Sequence, residues 1–383
     1  MIATRDDHLT AEEFIDQMLS QAIAVGASDI HLDPCPSQGY RLRMRIDGLM
    51  QQSRPCPAGL ATMLAVRLKI MARLDIAERR LPQDGQFIIP LPAPGCSFRL
   101  STLPALGGEK IALRLLPGEQ SGLSLRQLGM TESVLNNFLQ HLQAPQGMIL
   151  LTGPTGSGKT MTLYAALVHL RQRPLHICSV EDPVEIPLSG ITQCQVNLKA
   201  RLDFPLLLRA LLRQDPDVIM VGEIRDAQTA AIAAHAARSA HLVLATLHCA
   251  TPREALARLS QLGLSPDSIE PVLRLVMAQR LVRRLCPHCR RLESAPHNAV
   301  CSRSPPSALP HYWQAVGCGR CHGGYEGRCG LFSLSDKSPG ELSHSRHSLM
   351  EPAAADADGL WQAGLSLAAA GETTVSELWR VLG

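Results

Sequence analysis

The sequence predicts an α/β core in which a parallel-dominated sheet is covered by helices on both faces. Two observations support this class: short apolar runs alternate with longer helical stretches, and each run is followed by a glycine-rich or polar cluster. The apolar runs lie at residues 148–151, 176–180, 218–221 and 242–245. Runs without polar alternation are typical of parallel strands buried on both faces. We therefore predict a doubly wound core at residues 123–285.

A smaller α+β domain is predicted at residues 1–117, followed by a glycine-containing polar linker at 118–122. Thr10-Ala11-Glu12-Glu13 has the spacing of a helix capping box. Residues 40–47 alternate between apolar and charged side chains, which predicts a strand that ends in a hairpin turn at Asp47-Gly48. Further elements are predicted as a helix at 60–74 and short strands near 86–89, 97–101 and 110–115.

Composition argues against several classes of protein. The 383 residues suffice for two or three domains, and apolar residues make up 45% of them, so a substantial core can form. A net charge of +3 is too small to indicate nucleic acid as a partner. No apolar run approaches the roughly 18 residues that cross a bilayer, and the first residues are too polar for a signal peptide. We therefore expect a cytoplasmic protein without a membrane span, whose twelve cysteines are reduced thiols or metal ligands.

A phosphate-binding loop follows the first apolar run. The residues that match the pattern G-x-x-x-x-G-K-[ST] are Gly153, Pro154, Thr155, Gly156, Ser157, Gly158, Lys159 and Thr160. Glycines let successive N–H groups turn toward phosphate oxygens, while Lys159 reaches the outer phosphates and Thr160 can ligate Mg²⁺. A predicted strand precedes the loop and a predicted helix at 161–170 follows it, as the pattern requires. The loop predicts Mg-ATP as the ligand; the alternative is a glycine-rich loop that matches by chance.

Three polar clusters follow the other apolar runs. They are Glu181-Asp182-Pro183, Gly222-Glu223-Ile224-Arg225-Asp226 and Thr246-Leu247-His248. Because ligands bind beyond the carboxyl ends of the strands in an open parallel sheet, we expect all three clusters to meet the phosphate loop. Glu181 or Asp182 could hold Mg²⁺ through water, and Glu223 stands where a water-activating carboxylate is needed. The alternatives are a helix or turn cap for the first two and a core histidine for His248.

Two C-x-x-C pairs in residues 286–330 predict a zinc module. Their cysteines are Cys286, Cys289, Cys318 and Cys321. Two such pairs separated by a loop fit a tetrahedral Zn²⁺ site. Redox-active pairs or free thiols are the alternatives. The remaining C-terminal segment, 331–383, has little periodicity at 333–359, where we expect partly irregular structure, and regains helical character at 360–382.

Several blocks in this order resemble the ATPases of type II secretion and type IV pilus assembly. Beside the phosphate loop and the cysteine pairs, the blocks are Ala27-Ser28-Asp29-Ile30-His31-Leu32, Arg45-Ile46-Asp47-Gly48, Pro82-Gln83-Asp84-Gly85, Glu181-Asp182-Pro183-Val184-Glu185, residues 212–226 and Gln279-Arg280-Leu281. The resemblance covers most of the chain. It implies a RecA-like core, a PAS-like N-terminal domain and a homohexameric ring.

The resemblance also assigns roles to individual residues. It implies an aspartate box at 181–185, a Walker B segment at 218–223 with Glu223 as the catalytic glutamate, and a histidine box at 241–248. Arg99 and Arg114 match arginines of the N-terminal domain that reach the nucleotide phosphates when that domain closes. The alternative is that both arginines are solvated strand residues. The four cysteines match the tetracysteine element of the assembly ATPases, which retraction relatives generally lack.

The function that this resemblance implies is a motor at the inner face of the inner membrane. ATP hydrolysis would drive a polytopic inner-membrane platform protein that assembles pilin-like subunits. A nucleic-acid motor is a weaker alternative, because the net charge is small and aromatics make up only 3% of the residues. A degenerate paralogue that binds ATP without coupling is another. It is suggested by Ser333, which replaces the family's usual Glu, and by the 25 or so residues after it, which do not match. Because the recognisable domain begins near residue 10, we also expect that the family's further membrane-docking domain is missing.

Overall fold

The computed structural model describes residues 9–35, 39–56, 58–89, 96–116, 124–294, 311–336 and 354–383. The chain divides into two compact units, Met1–Ser121 and Gly122–Gly383. The linker predicted at 118–122 lies outside the described residues, as do residues 337–353 of the segment expected to be irregular. The division of the second unit into core, zinc module and C-terminal segment stays a prediction.

The N-terminal unit is an antiparallel sheet with two helices on one face. The helices are α1 (Ala11–Ala24) and α2 (Ala61–Met71). The strands are β1 (Ala27–Cys35), β2 (Gly39–Ile46), β3 (Leu49–Cys56), β4 (Gln83–Ile89), β5 (Cys96–Ala105) and β6 (Gly108–Leu116), in the order β3-β2-β1-β6-β5-β4. The capping box forms at the start of α1, where the Thr10 side chain accepts a hydrogen bond from the Glu13 N–H and the Thr10 N–H donates to Glu13. Alternation along β2 buries Leu42 and Met44 against the helices.

The second unit contains a seven-stranded sheet, and its largely parallel character confirms the predicted fold class. Its strands are β7 (Gly147–Thr152), β8 (Ile177–Glu181), β9 (Thr192–Gln195), β10 (Val218–Val221), β11 (Leu242–Leu247), β12 (Leu273–Leu285) and β15 (Tyr325–Asp336), in the order β15-β12-β7-β11-β10-β8-β9. All neighbours pair in parallel except β12 and β15. A separate two-stranded sheet pairs β13 (Arg291–Ser294) with β14 (His311–Gln314).

Helices cover both faces of the seven-stranded sheet. They are α3 (Glu132–Leu142), α4 (Lys159–Leu170), α5 (Phe204–Leu211), α6 (Ala227–Arg238), α7 (Pro252–Gln261), α8 (Pro266–Ile269), α9 (Ala354–Ala369) and α10 (Val375–Leu382). Successive side chains of β7 enter different apolar clusters, because strand side chains point alternately to opposite faces. Met148 and Leu150 pack with α5, α6 and α7, while Ile149 and Leu151 pack with α3 and α4. Among the described residues, no helix is both long and apolar enough to span a bilayer.

A buried carboxylate fastens α10 to β12. The Glu377 side chain is fully buried and accepts hydrogen bonds from Arg283 Nη2 at 2.7 Å and Arg380 Nη2 at 2.6 Å. The backbone N–H of Arg283 donates to the same carboxylate at 3.0 Å. Burial raises the pKa of Glu377, but hydrogen bonds from Arg380 and Arg283 outweigh it and lower the pKa to about 2.

We expect Glu377→Gln to lower the free energy of unfolding by about 3 kcal/mol, because Arg283, whose side chain is only 16% exposed, is left without its counter-charge. The folded-state pKa lies below the usual 4.5, so the carboxylate contributes its full stability above pH 4.5 and loses it as the pH falls toward 2. Urea unfolding at pH 7 and at pH 4 measures both effects. The matched control is Glu372→Gln. The side chain of Glu372 is 36% exposed and that of its partner Arg284 is 52% exposed, so this ion pair should contribute less than about 1 kcal/mol. Equal losses in the two variants would contradict the assignment.

Candidate nucleotide and metal sites

The phosphate loop connects β7 to α4 in the predicted strand–loop–helix arrangement. Gly153 and Gly158 have φ angles of 151° and 89°, which favour glycine. A Cβ on Gly153 would lie 2.5 Å from the Gln279 carbonyl oxygen, and one on Gly158 would lie 2.8 Å from Gln279 Nε2. The two glycines are therefore required both by backbone conformation and by close contact with β12.

The start of α4 offers an anion site with unused donors. Gly158 is the N-cap and supplies no side chain to the first N–H groups of the helix. Ser157 Oγ is buried and has no hydrogen-bond partner within the described part of the chain. A buried hydroxyl without a partner is costly, and a phosphate oxygen would satisfy it. The loop therefore fits a nucleotide phosphate.

Lys159 is held inside the loop rather than extended into solvent. Its side chain is 6% exposed, and Nζ donates to the carbonyl oxygens of Gly153 at 2.8 Å and Pro154 at 3.0 Å. Burial lowers the pKa of Lys159 to about 8; Glu223 raises it and Arg280 lowers it by smaller amounts. Among the described residues, the ammonium group thus has no carboxylate partner at hydrogen-bond distance, and a phosphate would supply an anionic partner.

This pKa predicts that ATP binds more weakly above about pH 8. Bound phosphate favours the charged form of Lys159. Above the pKa of the free protein, Lys159 must therefore take up a proton when ATP binds. The affinity for ATP then decreases with pH, with a limiting slope of about tenfold per pH unit. Binding of a fluorescent ATP analogue between pH 7.5 and 9.5 measures the slope. Lys159→Arg keeps its charge over this range, so its profile should be flat. A flat profile for the wild type as well would contradict the prediction.

Glu223 meets His248 at the carboxyl edge of the sheet. Glu223 follows β10 and is 16% exposed, and its Oε1 lies 3.0 Å from His248 Nε2, which follows β11. Its other oxygen, Oε2, lies 2.7 Å from Arg225 Nη2. Backbone contacts hold the two strand ends together, because Ile224 N–H donates to the Thr246 carbonyl oxygen at 3.0 Å. Two of the predicted polar clusters are thus in direct contact.

The two neighbouring acids after β8 differ in their surroundings. Glu181 is 2% exposed, and its carboxylate accepts hydrogen bonds from Ser179 Oγ at 2.5 Å, Gln193 Nε2 at 3.0 Å and the hydroxyl of Tyr164. Asp182 is 42% exposed, and its Oδ2 lies 3.9 Å from Arg225 Nη1. From the sequence, both acids were equal candidates to hold Mg²⁺ through water. In the structure, the Glu181 carboxylate already accepts three hydrogen bonds, whereas Asp182 is partly exposed.

Sequence reasoning assigned no role to Arg225, Tyr164 or Gln279. Arg225 lies two residues after Glu223, within the block 212–226 that resembles the secretion ATPases, so its position in that block is the signal for a role at the site. Tyr164 lies within α4 and belongs to none of the sequence blocks that resemble the secretion ATPases. Thr160, the predicted ligand of Mg²⁺, lies half-buried in the first turn of α4 beside Lys159, and its role stays a prediction.

Arg99 and Arg114 lie opposite each other on β5 and β6 of the N-terminal unit. Arg114 Nε donates to Asp29 Oδ1 at 2.9 Å, and the Arg114 side chain is 58% exposed. Arg99 is also exposed. Their proposed approach to the nucleotide involves the other unit and stays a prediction.

The four predicted zinc ligands form one cluster. Their Sγ atoms lie within 4.8 Å of one another, with separations of 4.0 Å for Cys286 and Cys318, 3.7 Å for Cys289 and Cys321, and 3.7 Å for Cys318 and Cys321. Zn–S bonds of about 2.3 Å in a tetrahedron require S–S separations of about 3.8 Å. Cys286 follows β12 directly, so the cluster is attached to the main sheet. The arrangement fits a tetrahedral Zn²⁺ ion.

Comparison with known proteins gives consistent matches. The family model for type II/IV secretion system proteins matches residues 4–380. The protein transport protein HofB homolog of Escherichia coli K12 is 46% identical in an alignment 395 residues long, which covers 100% of this chain and 84% of that protein. The type IV pilus assembly ATPase PilB of Pseudomonas aeruginosa is 42% identical over an alignment that covers 87% of this chain and 59% of PilB. The crystal structure of the Legionella pneumophila ATPase DotB matches with a TM-score of 0.70 at 18% identity, over 99% of this chain and 97% of DotB, which supports the fold alone.

Proposed function

This chain belongs to the type II/IV secretion system protein family, and we propose that it is an ATPase motor that drives assembly of pilin-like subunits in a type IV pilus or type II secretion system. The observation that carries the proposal is the contact of Glu223 with His248 at the sheet edge that also bears the phosphate loop. This edge combines a phosphate cradle with an acid positioned to activate water.

The hydrolysis step assigns a task to each group. A water molecule attacks the γ-phosphorus, its proton passes to Glu223, and the bond from phosphorus to the bridging oxygen of ADP breaks. Lys159 and the loop N–H groups stabilise the charge on the phosphate oxygens, while His248 and Arg225 orient the Glu223 carboxylate. Mg²⁺, when bound, neutralises phosphate charge; Thr160 would ligate it, and Asp182 would hold one of its waters because its carboxylate is open to solvent.

The proposal also gives roles to the N-terminal unit and to the cysteine cluster. Arg99 and Arg114 are exposed cations on adjacent strands, and we assign them to the nucleotide phosphates in the closed state of a homohexamer. The cysteine cluster would hold a structural Zn²⁺ ion, because its sulfur separations match a tetrahedral site. As the partner we propose a polytopic inner-membrane platform protein, which the resemblance to the secretion and pilus assembly ATPases implies, and with it a cytoplasmic position at the inner membrane. One of the similar proteins is named as a type IV pilus assembly ATPase, which agrees with a role in pilus assembly.

The proposed function is tested with the purified full chain and a polytopic platform protein of a pilus or secretion system from the same organism. Light scattering in Mg-ATP should give about six times the 41.5 kDa chain mass. Phosphate release should rise when the detergent-solubilised membrane protein is added and should not respond to duplex DNA. Stimulation by DNA alone would favour a nucleic-acid motor instead. A rate of hydrolysis that does not change when the membrane protein is added would indicate a paralogue whose ATP hydrolysis is no longer coupled to its partner.

A further inference from the structure

Gln279 lies beside the phosphate loop on β12. This strand runs parallel to β7, with Ala278 opposite Thr152, so Gln279 comes level with Gly153 where the loop begins. Gln279 is 2% exposed, which is unusual for a glutamine. Nothing in the hydrolysis step described above uses this side chain.

The contacts of Gln279 reach both ends of the loop and the following helix. Its carbonyl oxygen lies against Gly153, and its Nε2 lies against Gly158, so close that a Cβ on either glycine would overlap it. Its Oε1 accepts a hydrogen bond of 2.9 Å from the hydroxyl of Thr162, which is fully buried in the first turn of α4. One residue thus touches the first glycine, the last glycine and the helix that the loop enters.

A second contact fixes the backbone of β12 at the same position. Arg280 Nη1 donates to the Gln279 carbonyl oxygen at 3.0 Å, and Arg280 Nη2 donates to the Ala250 carbonyl oxygen at 3.0 Å.

Glycines allow the phosphate loop many conformations, and restricting the loop to one of them when phosphate binds would lower the affinity. A loop that is already held against a fixed strand loses less entropy when phosphate binds.

We infer that Gln279 is a positioning residue that holds the phosphate loop in its binding conformation before the nucleotide arrives. This inference rests on the proposed ATPase function. An uncharged amide suits the task, because it pairs with the Thr162 hydroxyl without adding charge beside the phosphates. A carboxylate at the same position would accept the same hydrogen bond but repel the nucleotide.

The test measures dissociation constants for Mg-ADP and turnover at saturating Mg-ATP. Gln279→Met keeps the length but loses the hydrogen bond, and Thr162→Val removes the other partner. Each should weaken binding about fivefold, as expected for a hydrogen bond worth about 1 kcal/mol, with turnover changed less than about twofold. The double variant should bind no more weakly than either single variant, because both remove one interaction. Gln279→Glu should weaken binding more than tenfold through added repulsion.

Thr373→Val is the matched control for a merely structural role. Its buried hydroxyl also donates to β12, at the carbonyl oxygen of Arg283 at 2.8 Å, but far from the loop. This variant should lower the melting temperature and leave Mg-ADP affinity unchanged. Equal losses of affinity in Thr373→Val and Thr162→Val, additive losses in the double variant, or wild-type affinity in Gln279→Met would overturn the inference. A wild-type chain that binds no nucleotide would instead overturn the proposed function.

Discussion

Replacing Glu223 by Gln should leave Mg-ATP binding within about twofold of wild type and lower turnover by about 10²–10⁴-fold. The amide is nearly isosteric with the carboxylate, so contacts with Arg225 and His248 survive in part. It cannot accept the proton of the attacking water, however. Single-turnover hydrolysis separates this loss of chemistry from any change in binding or product release.

Asp215→Asn is the matched control for Glu223→Gln. Asp215 is an exposed carboxyl in the loop before β10, so it lies at the opposite end of the strand that Glu223 follows. Its φ of 53° is tolerated by asparagine, which keeps the substitution mild. Turnover in this variant should match the wild type. Wild-type turnover in Glu223→Gln would remove Glu223 from its assigned role.

Loss of a zinc ligand should have the second large effect. Cys289→Ser removes one of four sulfurs, and a structural zinc site contributes on the order of 10 kcal/mol to local folding. We expect zinc to fall from one ion per chain to well below that. Hydrogen exchange should speed up in residues 286–294 and 311–325 while β7 and β10 keep their protection.

Cys194→Ser provides the control for this effect. Cys194 lies on β9, in the same unit but outside the sulfur cluster, so its variant should retain zinc and the wild-type exchange pattern. Elemental analysis of anaerobically purified protein measures the metal directly. A wild-type chain without zinc, or a Cys289→Ser variant with a full equivalent, would contradict the zinc site.

Local patterns explain which parts of the fold could be predicted. Short apolar runs mark β7 and β10 because strands buried on both faces need no polar positions. β12 was not predicted, since its polar residues conceal it. Arg280 is satisfied by the Ala250 carbonyl oxygen and Arg283 by Glu377, partners that lie 30 and 94 residues away. β15 was also missed, and it crosses the boundary predicted at residue 330 because it pairs with β12.

The same distinction applies to the site. The rule that ligands bind at the carboxyl ends of parallel strands was enough to bring Glu223 and His248 together. Sequence alone could not separate Glu181 from Asp182, because burial and donor positions depend on Tyr164 and on Gln193 of β9. Side-chain direction at the end of a strand is decided by such distant contacts.

The central claim is that the phosphate loop and the adjoining acids form one site that hydrolyses Mg-ATP. The most direct measurement is steady-state phosphate release by the purified wild-type chain and by Lys159→Ala, with and without Mg²⁺. We predict magnesium-dependent release by the wild type and its loss in Lys159→Ala, because the buried ammonium of Lys159 is held at the start of the loop. Equal rates in the two proteins would contradict the account.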